Sequence, residues 1–216
     1  MIFSQQTFKG ARHLLCQLLI LVMPICLAAQ DHHPVKPIAP WKGTFDIQLL
    51  DKLNPDTPKS VVVQQISNSA YWLPAAVVVS ELGYGLISND PDNKRYAVEN
   101  SLSVGIGQLM SIGLKHIFNR PRPFMSYPEI IHPVNYGTGP SFPSGHTTLA
   151  FSTATSILLT RKQWTVSLPV SLWAGSVGYS RMYLGRHFPT DVLGGMAVGI
   201  ISGILGHLLT AGIYGD

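Results

Sequence analysis

Long uncharged runs alternate with short polar breaks along this chain. Apolar stretches fall at about 71–88, 97–118, 147–160, 164–183 and 192–214, each long enough to be read as a helix rather than a strand. The last has no charged side chain from Val192 to Tyr214, roughly the span needed to cross the hydrocarbon core of a bilayer. Its polar relief is confined to Ser202, His207 and Thr210. A helix in water needs a polar face, so this segment reads as a membrane helix. Ahead of these stretches, residues 31–70 are polar and proline-spaced, with charges that balance in sign. Within them Phe45, Ile47, Leu49, Leu50 and Leu53 fit one short amphipathic helix able to lie on a membrane surface. The chain opens with Lys9 and Arg12, an apolar run from Leu14 to Leu27, then Ala28-Ala29-Gln30. That order describes a secretory signal or, alternatively, an uncleaved first transmembrane helix.

The pattern predicts an all-α, polytopic membrane bundle of five to six transmembrane helices. Its expected parts are a signal or first helix over 1–29, an extracytoplasmic segment over 30–70, and a membrane-embedded domain over 71–216. Composition agrees. Asp, Glu, Lys and Arg make up 12% of the 216 residues, about half the usual share, and the mean hydropathy is +0.22. The net charge of +4 is not a polybasic tail, so nucleic acid is excluded as a partner. Cys16 and Cys26 both lie in the leader, which removes disulfides as an organising feature.

Lysine and arginine placement sets an expected topology. With the amino terminus inside, the first apolar run delivers 31–70 to the outside. The chain then returns to inside loops holding Lys94-Arg95 and Arg161-Lys162. Three basic and histidine clusters then fall together at the outer face: Lys115-x6-Arg122-Pro123, Pro143-Ser144-Gly145-His146, and Ser180-Arg181-x5-His187-x3-Asp191.

Each cluster supplies what a bound phosphate needs. Pro143-Ser144-Gly145-His146 leads into an apolar segment, and the first amides of a helix, with its dipole, favour an anion. Gly145 would let a phosphate approach the backbone, the Ser144 hydroxyl would add a donor, and His146 would point toward the anion. An ordinary helix start explains the same residues. In the third cluster Pro189 suits the first position of a helix, and Asp191 falls one turn beyond His187. Asp191 could accept from one imidazole nitrogen and leave the other as a nucleophile. Arg181 offers bidentate phosphate recognition. The His-x3-Asp pair could alternatively be half of a metal site, but no second pair with ligand spacing accompanies it. Lys115 and Arg122 add two cations, although snorkelling to the interface would explain Lys115 and Arg120 equally well. Glu81 and Glu99 fall inside or at the edge of apolar stretches, where an acid is a functional candidate by default. Pairing within the bundle or an end near the interface explains them as well, and His207 reads as a satisfied bundle residue.

Taken together, Lys115, Arg122, Ser144, Gly145, His146, Arg181, His187 and Asp191 resemble the three-part signature of the type 2 phosphatidic acid phosphatase superfamily. Lipid phosphate phosphatases, bacterial class A acid phosphatases and vanadium haloperoxidases belong to it. The resemblance covers residues 115–191 with the family's order and spacing. It implies that His187 attacks phosphorus and forms a phosphohistidine, with Asp191 orienting it. His146 would protonate the leaving alkoxide and later activate water. Lys115, Arg122, Ser144, the Gly145 amide and Arg181 would stabilise the equatorial oxygens, with no metal and no cofactor.

The expected activity is hydrolysis of a lipid phosphate or diphosphate at the periplasmic face of a bacterial inner membrane. Candidate substrates are undecaprenyl diphosphate, phosphatidylglycerol phosphate, phosphatidic acid and lipid A phosphates. A secreted acid phosphatase, a vanadium haloperoxidase and a non-catalytic binder or transporter of lipid phosphates are the rival expectations.

Overall fold

A computed structural model describes residues 44–215 except residue 138; the leader over 1–29 and residues 30–43 lie outside the described residues. Among the described residues the chain forms seven helices: α1 (Phe45–Leu53), α2 (Val61–Ile87), α3 (Pro91–Phe118), α4 (Pro123–Ser126), α5 (Gly145–Arg161), α6 (Trp164–Tyr183) and α7 (Pro189–Tyr214). There are no strands among them. The helix expected over 164–183 has those limits. The others begin before their apolar runs do, most of all α2, which starts at Val61 rather than 71.

The extra turns of α2 are polar because they face protein. Ser67 and Ser69 are buried there, Ser69 accepting from the Trp173 indole at 2.8 Å and Ser67 from Arg181. Caps fix the termini. Asp90 accepts the Asp92 amide at 2.9 Å ahead of Pro91 at the first position of α3. At the start of α7, Asp191 reaches back to the Phe188 amide at 2.8 Å. These side chains satisfy amides that have no intrahelical partner.

The five long helices run antiparallel in sequence, and α5 is central, packed against α2, α3, α6 and α7. Its position explains its mixed composition. Thr147, Thr148, Ser152, Thr153 and Ser156 are buried, and two of their hydroxyls bond backbone carbonyls one turn back, Thr148 to Ser144 at 3.1 Å and Ser152 to Thr148 at 2.8 Å. Small residues bring α3, α5 and α7 close together. A Cβ on Gly107 would meet Ser152 Oγ at 2.4 Å and Ser202 Oγ at 2.8 Å, where those two hydroxyls share a 2.7 Å hydrogen bond. The outer faces of α2 and α7 are the reverse, with Val61, Val62, Trp72, Val79, Leu86, Leu193, Leu205, Leu208 and Ile213 exposed. Both helices are long and apolar enough to cross a membrane. An apolar belt of that extent suits hydrocarbon rather than water.

The membrane-surface reading of α1 changes in one respect: Ile47 and Leu50 of its apolar face are turned onto the protein, while Phe45 stays exposed. Ile47 and Leu50 pack with Phe124, Tyr127, Ile131 and Phe188. Asn54 then clamps the chain beyond α1 by donating to the His132 and Tyr183 carbonyls at 3.0 and 2.8 Å and accepting the His132 amide at 2.7 Å. Gly185, at φ +64°, lies against this clamp, where a Cβ would meet the His132 carbonyl at 2.9 Å.

Glu81, Glu99 and His207 are paired within the bundle. Glu99 Oε2 meets His207 Nδ1 at 3.0 Å, and Glu81 lies 3.4 Å from Arg161. Arg161 also donates to Asn93 at 2.8 Å and stacks over Tyr96. The pairs 94–95 and 161–162 therefore share one end of the bundle, opposite the end where α3 and α6 finish and α5 and α7 begin.

Candidate active site

All eight residues singled out in the three clusters come to that second end. Lys115 arrives on the last turn of α3, Arg122 on the turn before α4, and Ser144, Gly145 and His146 at the start of α5. Arg181 is on the last turn of α6, His187 in the link that follows, and Asp191 in the first turn of α7. Backbone and side-chain bonds hold the cations in place. Lys115 Nζ donates to the Pro140 carbonyl at 2.8 Å, Arg122 Nε to the Gly139 carbonyl at 2.9 Å, and Arg122 Nη1 to the Arg186 carbonyl at 3.1 Å. The Ser144 amide donates to the Asp191 carbonyl at 3.0 Å, joining the starts of α5 and α7. Its hydroxyl accepts from Thr147 at 2.8 Å, which leaves its own proton available to an anion.

The His187 ring is almost fully buried, and its two nitrogens have different surroundings. Nδ1 lies 2.8 Å from the Ser141 carbonyl oxygen. A carbonyl can only accept, so Nδ1 carries the proton and Nε2 the lone pair. Arg122 Nη1 is 3.5 Å from Nε2, at the edge of the space a phosphoryl group would enter. Burial comes first among the causes that hold this imidazole well below its ordinary pKa, followed by the charges of Arg122, Arg181 and Lys115. The ring therefore stays neutral, the form a nucleophile needs.

The direct His187–Asp191 hydrogen bond expected from the four-residue spacing is replaced by a relay. Asp191 Oδ2 is 3.7 Å from Nδ1 and accepts instead from the Ser141 hydroxyl, so Ser141 touches both residues. Asp191 is fully buried, and its other oxygen accepts from Arg120 Nη1 at 2.7 Å. The expectation that Arg120 snorkels to the interface is corrected here. Its guanidinium bridges Asp191, Thr190 and Asp46 of α1, each within 2.8 Å, and lies 4.0 Å over the Phe188 ring. Nothing local in sequence marks Ser141 or Asp46, whose partners are 50 and 74 positions away.

His146 is partly open, with Nδ1 3.5 Å from the Tyr71 hydroxyl and the two rings edge to face at 4.3 Å. Beside it a cavity of about 210 Å³ is lined by Gln64, Ser67, Asn68, Asn135, Arg181 and Arg186. Arg186 donates to the Asn135 carbonyl, and burial lowers its pKa. Arg122 is lowered to about 10 by burial, then by the charge of Arg186, and still carries its proton near neutrality. Among the described residues no group of three or more His, Cys, Asp or Glu could hold a metal ion.

Residues 97–212 match the model of the PAP2 superfamily. Undecaprenyl-diphosphatase BcrC of Bacillus subtilis is 33% identical over 90 residues, covering 41% of this chain and 45% of that one. Lipid A 4'-phosphatase of Bacteroides thetaiotaomicron is 34% identical over 134 residues, covering 56% and 58%. The chain thus spans about half the length of the curated relatives it matches. Among solved structures, a transmembrane PAP2-type phosphatidylglycerolphosphate phosphatase from Bacillus subtilis superposes with a TM-score of 0.60 at 21% identity, over 92% of this chain and 96% of the other. The fold of the two is the same.

Proposed function

The chain belongs to the PAP2 superfamily, and from that premise we propose that it is a membrane phosphatase acting on a lipid phosphate or diphosphate through a phosphohistidine at His187. The observation that carries this reading is the His187 ring, held with its Nε2 lone pair toward a cradle of Lys115, Arg122 and Arg181. In the first step the Nε2–P bond forms and the P–O bond to the lipid breaks. The bond's electron pair stays on the departing oxygen, which takes a proton from His146. In the second step water attacks phosphorus, gives its proton to His146, and releases orthophosphate as the N–P bond breaks. Lys115, Arg122, Arg181, the Ser144 hydroxyl and the Gly145 amide meet the charge on the equatorial oxygens. No step requires a metal ion.

The periplasmic face of a bacterial inner membrane is the proposed location of the site. Support comes from the basic pairs 94–95 and 161–162 at the opposite end of the bundle, which belong in the cytoplasm by the positive-inside tendency. A site at that boundary suits a substrate whose tail remains in lipid. Undecaprenyl diphosphate, phosphatidylglycerol phosphate, phosphatidic acid and lipid A phosphates are the class. The test is phosphate release by purified protein from a panel of these lipids and of soluble phosphomonoesters, with EDTA present and His187→Ala as blank. Release from lipids that the blank lacks, together with ³²P retained on His187, is expected. Near-native turnover by His187→Ala would overturn the mechanism, and loss of activity with EDTA its metal independence.

A further inference from the structure

The geometry points to a second phosphate subsite around Arg186, which makes this a phosphatase for lipid diphosphates in preference to monophosphates. The inference rests on the phosphatase reading above and names which member of the substrate class the site takes.

The cavity beside His146 is the first observation. It continues from Arg181 and His146 toward α2 and the 134–135 loop, through Gln64, Ser67, Asn68, Asn135 and Arg186. At about 210 Å³ it has several times the ~30 Å³ share of one water molecule. Its lining is mostly polar, with Val134 and Leu184 the apolar members, and carries no carboxylate. His146, the proposed proton donor to the departing oxygen, lines the same space, so the cavity lies on the leaving-group side of the cradle. An alkyl or acyl-glycerol leaving group would have little use for amides and a guanidinium there, whereas a phosphate would.

Arg186 is the second observation. Its guanidinium is built into the wall: one nitrogen donates to the Asn135 carbonyl, and a Cβ on Gly137 would lie 2.4 Å from another. Its Nε is buried and, like that of Arg181, lacks a hydrogen-bond partner among the described residues. Its own carbonyl anchors Arg122, so the residue joins the phosphoryl cradle to the cavity through one peptide unit.

Charge decides between the substrates. Lys115, Arg122, Arg181 and Arg186 converge here, and the nearest carboxylate, Asp191, is already held by Arg120. A phosphate monoester carries about −1.5 to −2 near neutral pH. It would leave the buried Nε of the half-buried Arg186 without an acceptor, and a donor left unsatisfied in that way is costly. A diphosphate adds about one further negative charge, with oxygens suited to bidentate contact. The terminal phosphoryl group would pass to His187 Nε2. The bridging P–O bond would break with its electron pair retained on oxygen, and the lipid monophosphate would leave from the Arg186 subsite.

Two measurements test this on the full-length protein in detergent. The first compares kcat/KM for a polyprenyl diphosphate and the monophosphate of the same chain length. The expected ratio is at least about tenfold in favour of the diphosphate, and Arg186→Gln should remove about that factor from the diphosphate alone. Asn68→Asp, an exposed position facing the cavity, should lower diphosphate turnover selectively by repulsion and covers the case in which Arg186→Gln does not fold. The second measurement uses His187→Ala, which cannot turn over, and follows inorganic pyrophosphate against orthophosphate binding by calorimetry. Pyrophosphate should bind about tenfold tighter, and the gap should close when Arg186→Gln is added. Lipid hydrolysis with no diphosphate preference, or an equal loss on both substrates in the variants, overturns the subsite and leaves the phosphatase. Selective pyrophosphate binding without hydrolysis of any lipid phosphate overturns the phosphatase reading and leaves the subsite.

Discussion

Replacing Arg120 by glutamine should damage catalysis although Arg120 touches no part of the phosphate cradle. Its guanidinium is the charge partner of Asp191, whose side chain is fully buried, and the same group holds Asp46 of α1 at 2.8 Å. Removing one partner of a buried pair typically costs about 3–5 kcal/mol. The Arg120 side chain is 29% exposed, so water can partly replace it, and a loss of about 2–3 kcal/mol is the better expectation. At roughly 2–4 °C per kcal/mol for a chain of this size, the melting midpoint should fall by about 5–10 °C. The catalytic effect runs through Ser141, whose hydroxyl is fixed by Asp191 and whose carbonyl fixes His187 Nδ1. Supporting contacts of this kind are worth about 10–100-fold, so kcat should fall by that factor while KM changes little. Counting phosphorylated His187 in a burst experiment separates this from a smaller folded fraction: the active-site titre should stay near native while the burst rate falls. Arg120→Lys should recover only part of the loss, because one ammonium cannot bridge Asp191, Thr190 and Asp46 together. A variant with native kcat and native melting would refute the relay.

Other outcomes follow from the same geometry. Burial and the neighbouring cations hold the His187 imidazole below its ordinary value, so the acid limb of kcat/KM should lie below about pH 6.5. Arg122→Gln removes one of those cations and should move the limb upward while lowering its plateau. The substrate's own ionisation is common to both profiles, and an unmoved limb would contradict the assignment. Lys115→Ala should lower kcat/KM by about 10²–10³-fold, as loss of one preorganised charge-stabilising group does, with His187 still phosphorylated in a slow-turnover trap. Gly107→Val forces two branched methyl groups against Ser152 and Ser202. It should destabilise the α3, α5 and α7 contact by several kcal/mol, measured as a fall in the thermal midpoint in detergent; a neutral Gly107→Val would argue against the close approach.

How much could be read in the sequence depended on how far each partnership reaches along the chain. Lys115, Arg122, His146, Arg181 and His187 stand out because charged and imidazole groups are rare in an apolar background, and they remain together in space. The limits of α6 were legible because both ends are marked by polar breaks. The start of α2 was not, since Gln64, Ser67, Asn68 and Ser69 look like a surface segment and are polar because they face the site and α6. Arg120 was legible only as a cation. Its role depends on Asp46 and Asp191, 74 and 71 positions away, and no local period encodes such a pairing. The same distance hid Ser141, whose carbonyl takes the hydrogen bond that the His187-x3-Asp191 spacing suggested for the carboxylate.

The central place of α5 also bears on how the protein is made. A helix lined with Thr147, Thr148, Ser152, Thr153 and Ser156 gains little by entering lipid alone, yet its neighbour α7 has not been synthesised when it emerges from the ribosome. Segment 145–161 should therefore wait at the translocon or the membrane boundary until α7 arrives to receive it. Chains truncated after Tyr183 should leave residue 152 accessible to a membrane-impermeant reagent at an introduced cysteine, and the full-length chain should protect the same position, which is buried in the bundle. Equal protection of residue 152 in both would mean that α5 inserts unaided. The residues that let α5 carry His146 at its tip thus make biogenesis, as well as catalysis, a property of the assembled bundle.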